Sequence, residues 1–196
     1  MSEVIEIEFK NLLTKNEYTM LLETFNINEQ QIFSQENYYF DTADFDLQKY
    51  QSALRIRKKK NHYELTLKQP ADIGLLETNQ IISSGDLTAA IQHNRLPDGP
   101  IKDKIIELGV NYEEMVYFGS LATKRSEISY HDGLLVLDHS TYLNKEDYEV
   151  EYEVKDYQQG IIEFQKFLER FGIPKRKTDN KIKRFYLQKN LQNNRM

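Results

Sequence analysis

Two carboxylates and an ammonium group occupy alternate positions in the short run Glu6-Ile7-Glu8-Phe9-Lys10. Side chains along a β-strand point alternately to opposite faces, so the two glutamates and the lysine would share one face of a strand. Carboxylate oxygens suit Mg²⁺ or Mn²⁺, and a polyanion that binds through metal ions needs a face with charges of both signs. Such a run is common in proteins, and it gains weight here because the pattern recurs along the chain.

Four later segments repeat this alternation of charged and apolar positions. Bases alternate with apolar residues in the segment 52–60, and three carboxylates alternate with apolar residues in the segment 147–155. The charged positions are Arg55, Arg57, Lys59, Glu64, Lys68, Arg125, Glu127, Glu149, Glu151 and Glu153. Like charges two residues apart repel, so such a face needs solvent, cations or opposing bases as compensation.

Two interpretations of the charged face remain open at this point. An antiparallel sheet often has one face on the core and one in water, and its wet face is simply charged. Two features favour a binding face instead: carboxylates and bases lie on different strands, and the helices carry apolar stripes that would cover the other side of the sheet. A sheet closed in this way would have a charged lumen, which is costly unless ligands or paired charges fill it.

Bulk properties limit the classes of function. The chain has 196 residues, enough for one domain with its own core, and a net charge of −5, so the whole molecule is not expected to seek nucleic acid or anionic membrane. It contains no cysteine, which excludes disulfides, thiolate metal sites and cysteine nucleophiles. The sequence shows no secretory signal and no apolar run of about 18 residues, so we expect a cytoplasmic protein.

Hydrophobic periodicity predicts an α+β protein built around an antiparallel sheet or barrel. No linker or low-complexity tract divides the chain, and we expect a single domain over 1–196. Strands are predicted at 6–10, 35–41, 52–60, 62–69, 75–83, 116–130, 134–138 and 147–155. Helices are predicted after Thr14, at 87–93 opened by Asp86, and at 101–108, 157–171 and 180–191. A turn at Lys60-Asn61 and an Asp132-Gly133 turn are expected to join hairpins.

In these motifs the sequence resembles the CYTH proteins, also called triphosphate tunnel metalloenzymes. Residues 6–10 resemble the ExExK signature of that family, and seven further motifs follow in the family's order. They are Tyr39-Phe40-Asp41, Leu54-Arg55-Ile56-Arg57, Leu65-Thr66-Leu67-Lys68, Lys124-Arg125, Leu137-Asp138, Glu151-Tyr152-Glu153 and Asn180-Lys181. The resemblance implies a closed eight-stranded antiparallel β-barrel, or tunnel, with a charged lumen and helices packed outside.

The resemblance also implies roles for individual residues. The metal, Mg²⁺ or Mn²⁺, would be bound by Glu6, Glu8, Glu151 and Glu153, with Asp138 and Glu149 as accessories; which pair among Glu149, Glu151 and Glu153 corresponds to the family pair stays open. The phosphate oxygens would be bound by Lys10, Arg55, Arg57, Lys68, Arg125 and Lys181. Among these, Lys10, Lys68 and Lys181 are the candidate catalytic residues, since a lysine with a lowered pKa is able to act as a general base.

Three functions are compatible with the resemblance. The favoured one is metal-dependent hydrolysis of a small triphosphate: inorganic triphosphate, a nucleoside triphosphate or thiamine triphosphate. An adenylate cyclase is the alternative, although no base-reading motif is visible and residues 1–5 lack the His-Phe pair that precedes ExExK in the cyclase branch. The third is a non-catalytic module that binds polyphosphate or nucleotide. We expect no nucleic-acid or membrane partner, and the sequence leaves a monomer and a homodimer open.

Overall fold

The computed structural model describes residues 2–193, which form eight strands and six α-helices. The strands are β1 (Ser2–Leu13), β2 (Phe33–Thr42), β3 (Ala53–Lys59), β4 (His62–Pro70), β5 (Leu75–Ile82), β6 (Met115–Tyr130), β7 (Gly133–Tyr142) and β8 (Lys145–Val154). The helices are α1 (Lys15–Thr24), α2 (Asp46–Lys49), α3 (Ser84–His93), α4 (Pro100–Glu107), α5 (Tyr157–Arg170) and α6 (Lys181–Asn193). Within these residues, no helix is long and apolar enough to cross a membrane.

The strands close into one barrel in the order β1-β5-β4-β3-β2-β6-β7-β8. Strands that follow each other along the chain pair antiparallel in the hairpins β2–β3, β3–β4, β4–β5, β6–β7 and β7–β8, and β1 pairs antiparallel with β8. The predicted fold class, an antiparallel eight-stranded barrel with helices outside, is therefore confirmed.

The residue contacts divide the chain into two compact units. Unit 1 consists of the start of β1 up to Ile5 and of Gln35–Leu121; unit 2 consists of Glu6–Ser34 and of the chain from Ala122 onward. The single domain expected over 1–196 stays a prediction, and Met1 and residues 194–196 of it lie outside the described residues.

In unit 1 the apolar positions of β2, β3 and β4 face helices α3 and α4. Fully buried Leu54, Ile56 and Leu65 pack in one core with Ala90 of α3 and Ile101 of α4. The hairpin turn at Lys60-Asn61 is confirmed, because the flanking residues pair across the two strands. One helix start was wrong: Ser83, rather than Asp86, caps α3, because its hydroxyl accepts from the backbone N–H of Asp86 three residues on.

In unit 2 the apolar positions of β7 and β8 pack against α1 and α5. The core contains Leu137, Val150 and Tyr152 of the sheet and Phe164 and Phe167 of α5. The predicted helix start at Thr14 is confirmed by a capping box, in which the Thr14 and Glu17 side chains each accept from the other residue's backbone N–H. Because helices cover the apolar faces of the strands, the charged phases are the ones directed inward.

The turn between β6 and β7 differs from the sequence prediction by one residue. Tyr130 pairs with Gly133 across the hairpin, so the two loop residues are His131 and Asp132, and His131 has a φ of 49°. Gly133 is the first residue of β7, where a Cβ atom would lie 2.6 Å from the Glu153 carbonyl oxygen. A close approach of backbones, and not a turn conformation, thus explains this glycine.

Candidate functional site

The predicted site residues fall into two groups, one in each unit. The basic group of unit 1 contains Arg55, Arg57 and Lys68, which lie on the inward phase of β3 and β4. The carboxylate cluster of unit 2 contains the other nine residues: Glu6, Glu8, Lys10, Arg125, Asp138, Glu149, Glu151, Glu153 and Lys181. The predicted bases of unit 1 therefore lie apart from the carboxylates, whereas in unit 2 six carboxylates and three cations lie together.

Cross-strand pairing fixes the basic group. Arg55 is opposite Thr66, and Lys68 is opposite Glu77 on β5. The Arg57 Nε atom donates to Asn37 Oδ1 of β2 at 3.0 Å, which holds the guanidinium in place. Guanidinium and ammonium groups arranged in this way are suited to binding phosphate oxygens, and arginine does so with a planar fork.

Glu77 belongs to the basic group, and the sequence prediction missed it. Its Oε1 atom lies 2.5 Å from Lys68 Nζ and 3.7 Å from Arg55 Nη2, and the carboxylate is 15% exposed. Burial alone would raise the pKa of Glu77, but Lys68 and Arg55 outweigh burial and lower the pKa to about 2. Glu77 is therefore a charged partner that holds two bases in one geometry. No clear alternation of charged and apolar positions marks Glu77 in the sequence, because Ile81 shares its phase and polar residues also occupy the other phase.

The register of β1, β8, β7 and β6 builds the carboxylate cluster. Glu8 is opposite Glu153 and Lys10 is opposite Glu151 across β1 and β8. On the other side of β8, Glu149 is opposite Asp138 of β7, and Asp138 is opposite Arg125 of β6. Asp138, Glu149 and Glu151 are buried, with relative exposures of 0%, 1% and 4%. Buried carboxylates require partners, which the cluster supplies from three elements.

Arg125 is the first of these partners. Its guanidinium donates from Nε and Nη2 to the two carboxylate oxygens of Asp138 at 2.8 and 2.7 Å, and Nη2 also donates to Glu151 at 2.8 Å. The Nη1 atom lies 4.0 Å from Glu153. The structure therefore places this predicted phosphate-binding residue as a bidentate partner of carboxylates, with one nitrogen directed toward Glu153.

Lys181, at the start of α6, is the second partner. Its ammonium group lies 2.9 Å from Asp138, 2.9 Å from Glu149 and 2.5 Å from Glu151. Burial would lower the pKa of Lys181, but these carboxylates raise it well above the ordinary value. Lys10, which forms an ion pair with Glu8, also has a raised pKa: burial lowers it, and Glu8 and Glu151 outweigh burial. Both lysines are thus held as cations, the opposite of what a general base requires.

Negative charge is not fully compensated at Glu153. Burial raises the pKa of this carboxyl to about 7; Arg125 opposes the shift, while Glu6, Glu151 and Glu8 add to it. Burial likewise raises the pKa of Glu149 to about 7. Lys181 opposes this increase, and Glu151 adds to it. The carboxylates of the cluster form an oxygen-rich donor set, and its chemistry fits a hard divalent cation.

The metal ligands predicted from the sequence do not form a ready coordination shell. Within residues 2–193, no group of three or more His, Cys, Asp or Glu side chains is arranged to hold a metal ion. Instead, Lys181, Arg125 and Lys10 form ion pairs with Asp138, Glu151 and Glu8. Metal binding at these residues would require some of the pairs to rearrange.

Arg184 is a second residue that the sequence prediction missed. It lies on α6, is 7% exposed, and forms ion pairs with Glu149 through Nη1 and with Asp147 through Nε at 3.3 Å. Asp147 in turn accepts a hydrogen bond from the Tyr142 hydroxyl at 2.5 Å. The signal in the sequence was spacing, since Arg184 follows Lys181 by three residues and therefore shares its face of the helix.

One domain family and one curated relative match nearly the whole chain. The family model for the CYTH domain matches residues 4–186. A Bacillus subtilis protein named "Putative triphosphatase YjbK" is 49% identical over 189 residues, which are 96% of this chain and 98% of that protein.

Two solved structures share the fold. A Bacillus halodurans protein described as a "putative adenylate cyclase" is 42% identical and superposes with a TM-score of 0.91, covering 95% of this chain and all of that one. A Hippeastrum protein described as a "putative adenylyl cyclase" with a dominant triphosphatase activity is 24% identical, with a TM-score of 0.78 over 93% of this chain and 95% of that one. At 24% identity, the second likeness concerns the fold alone.

Proposed function

The chain belongs to the CYTH domain family, and on this basis we propose that it hydrolyses a small triphosphate compound in a reaction that depends on a divalent metal ion. The observation that carries the proposal is the carboxylate cluster, where carboxylates outnumber cations and the pKa of Glu153 is raised to about 7 by burial and by neighbouring glutamates. A purely structural network of ion pairs would be expected to neutralise its own charge.

The names of two relatives point to two reactions of triphosphates. The Bacillus subtilis relative that covers nearly the whole chain carries the name of a triphosphatase. The Bacillus halodurans structure carries the name of an adenylate cyclase, so cyclisation of ATP is the second candidate. Both reactions act on a triphosphate chain, and both would use the same charged side chains.

The glutamates of β1 and β8 are proposed to hold the metal, Mg²⁺ or Mn²⁺. Glu6, Glu8 and Glu153 are the first candidates, because Glu8 is opposite Glu153 across β1 and β8, and Glu6 and Glu8 add to the pKa increase that burial causes at Glu153. Asp138, Glu149 and Glu151 are the further candidates, and they are now paired with Lys181 and Arg125. When bound, a divalent ion supplies charge neutralisation and Lewis acidity toward phosphate oxygens.

The bases are proposed to bind the phosphate oxygens. Arg55, Arg57 and Lys68 form the basic group, and in unit 2 Arg125 Nη1, Lys10 and Lys181 supply further positive charge. In phosphoryl transfer, such cations stabilise the charge that develops on the leaving phosphate. The predicted catalytic residues Lys10, Lys68 and Lys181 are assigned this electrostatic role.

The partner implied by this chemistry is a small triphosphate, and no nucleic acid or membrane is needed. The experiment that tests the proposal is a panel of inorganic triphosphate, ATP and thiamine triphosphate, each with Mg²⁺, Mn²⁺ or a chelator, with orthophosphate, pyrophosphate and cyclic AMP resolved by chromatography. We expect metal-dependent release of orthophosphate. Cyclic AMP with pyrophosphate as the main products would favour the cyclase, and tight binding without turnover would favour a binding module.

A further inference from the structure

The first turn of α6 carries two cations on one face, of which Arg184 is buried and Lys181 is partly buried. Lys181 and Arg184 are three residues apart, and the backbone N–H of Arg184 donates to the Asn180 carbonyl oxygen at 3.1 Å to close the first turn. The Asn180 side chain caps the helix by accepting from the Lys183 N–H at 2.9 Å. Where Lys181 reaches therefore depends on how this turn is anchored.

Arg184 provides an anchor to β8. Its side chain contacts Glu149 and Asp147, two inward residues of that strand, and its Nη1 atom also donates to the Asp179 carbonyl oxygen at 3.1 Å. The Tyr142 hydroxyl fixes Asp147 from the neighbouring strand β7. Arg184 thus joins the start of α6 to the strand that carries the partners of Lys181.

The chain ahead of α6 is fixed as well. Arg176 forms two hydrogen bonds with the Glu17 carboxylate, both of 2.9 Å, and another with the Leu12 carbonyl oxygen at 2.8 Å. The Thr178 hydroxyl accepts from the Leu12 N–H at 2.9 Å. Only Asp179 and Asn180 separate this attached segment from α6, so the helix start is held from both sides.

We propose that Arg184 is a positioning residue for the reaction: by clamping the first turn of α6 to Asp147 and Glu149, it places the Lys181 ammonium group among Asp138, Glu149 and Glu151. The proposal rests on the proposed function only in assigning Lys181 a part in turnover. Arg184 itself is buried and held by two carboxylates and a carbonyl oxygen, so it acts through Lys181 and does not need to touch the substrate.

A double-mutant cycle tests the proposal in activity. Lys181→Met should lower kcat/KM for inorganic triphosphate by about 100-fold, the typical loss for one electrostatic stabiliser, and Arg184→Met should lower it by about 10-fold or more. If Arg184 acts through Lys181, the double variant should be no worse than Lys181→Met alone, within about twofold. If the loss of kcat/KM in the double variant equals the product of the two single losses, the proposal is overturned.

Hydrogen exchange provides a readout that needs no turnover. Peptides covering the start of α6 should exchange at least about 10-fold faster in Arg184→Met than in wild type, while Lys183→Met, an exposed neighbour paired with Asp179, should leave exchange and activity unchanged. Arg184→Lys, which keeps the charge but loses the fork, replaces Arg184→Met if the latter does not fold, and should show the same direction.

The two measurements separate the proposals. If the wild type turns over no triphosphate, the proposed function fails, and hydrogen exchange still decides the role of Arg184. If the start of α6 exchanges hydrogen as slowly in both Arg184 variants as in wild type, the positioning role is overturned, whatever the activity of the variants.

Discussion

Glu153 shows how a single side chain reports the charge of its surroundings. It is opposite Glu8 across β1 and β8 and lies 4.0 Å from one nitrogen of Arg125. Burial and three neighbouring glutamates raise its pKa to about 7, in spite of the arginine. An acid with a raised folded-state pKa destabilises the fold as the pH rises above its unfolded-state value, unless a cation compensates.

Glu153→Gln should therefore have opposite effects on turnover and stability. Above pH 7 and in a chelator, the thermal midpoint should be unchanged or higher, because a repelling charge is removed. The metal concentration for half-maximal turnover should rise by about 10- to 100-fold or more, the range for groups that support metal ligands. Glu146→Gln, an exposed position of the same strand, is the control. Metal titrations of turnover that coincide for wild type and Glu153→Gln would contradict the assignment.

Glu77 makes the opposite prediction for pH. Its folded-state pKa of about 2 lies below the ordinary value of 4.5, so it stabilises the fold above pH 4.5, and this stabilisation is lost as the pH falls toward 2. Glu77→Gln should lower the free energy of unfolding by about 1–3 kcal/mol at pH 7. The difference in unfolding free energy between variant and wild type should shrink as the pH falls from 4.5 to 2. Urea unfolding across this range measures it, with Glu107→Gln on the exposed side of α4 as the control. A difference in unfolding free energy that stays constant down to pH 2 would show that the charge of Glu77 does not stabilise the fold.

At the scale of elements, strand alternation decides which side chains take part. Arg57 and Lys58 are adjacent on β3, but Arg57 is opposite Asn37 and Glu64 on the inward phase, whereas Lys58 is opposite Glu36 and Tyr63 on the other. Two basic residues of the same strand should therefore respond differently to substitution.

Arg57→Lys keeps the charge and loses the planar fork, so kcat/KM for the triphosphate substrate should fall by about 10- to 100-fold. Lys58→Arg should leave kcat/KM close to wild type. Steady-state kinetics on the two variants tests the assignment directly. Equal effects of both changes would favour the alternative of a solvated, non-binding charged face.

The packing of α5 predicts an exception to helix propensity. A Cβ atom at Gly160 would lie 2.5 Å from Val154 Cγ2 and 2.8 Å from Phe9 Cε2. Gly160→Ala should destabilise the protein by about 1–3 kcal/mol, because a stiff β-branched side chain and a ring cannot move away freely. In α3 the nearest atom to a Cβ at Gly85 is 3.5 Å away, so Gly85→Ala should stabilise by up to about 1 kcal/mol. Denaturant midpoints measure both, and stabilisation by Gly160→Ala would contradict the packing described.

Local pattern was enough to predict most elements, and tertiary contacts explain what it missed. The alternation of charged and apolar residues predicted the strands. The same alternation predicted which side chains face inward, because successive side chains of a strand point to opposite faces. The pairing of Arg125 with Asp138 and of Lys181 with Glu151 depends on register and on the docking of α6, which no local pattern contains. For the same reason the family resemblance led to the prediction of a lysine base, whereas neighbouring carboxylates raise the pKa of Lys10 and Lys181.

At the scale of the whole molecule, a net charge of −5 contrasts with the anionic substrate that we propose. Local charge explains the contrast. The basic group lies in unit 1, and the carboxylate cluster in unit 2 is proposed to bind metal. An anion would be attracted by local cations and by the bound metal, so turnover should depend on ionic strength less steeply than it would for a protein with a basic surface.

Oxygen-18 transfer from water tests the central claim, hydrolysis of a triphosphate, most directly. The protein is incubated with Mg²⁺ or Mn²⁺ in ¹⁸O-labelled water, separately with inorganic triphosphate and with ATP, and the products are followed by ³¹P NMR. Hydrolysis breaks one P–O bond and forms another to a water oxygen, so we expect one ¹⁸O atom per turnover in the phosphate products, and none in reactions with a chelator. Cyclic AMP accompanied by unlabelled pyrophosphate, or no metal-dependent label from either substrate, would contradict the account.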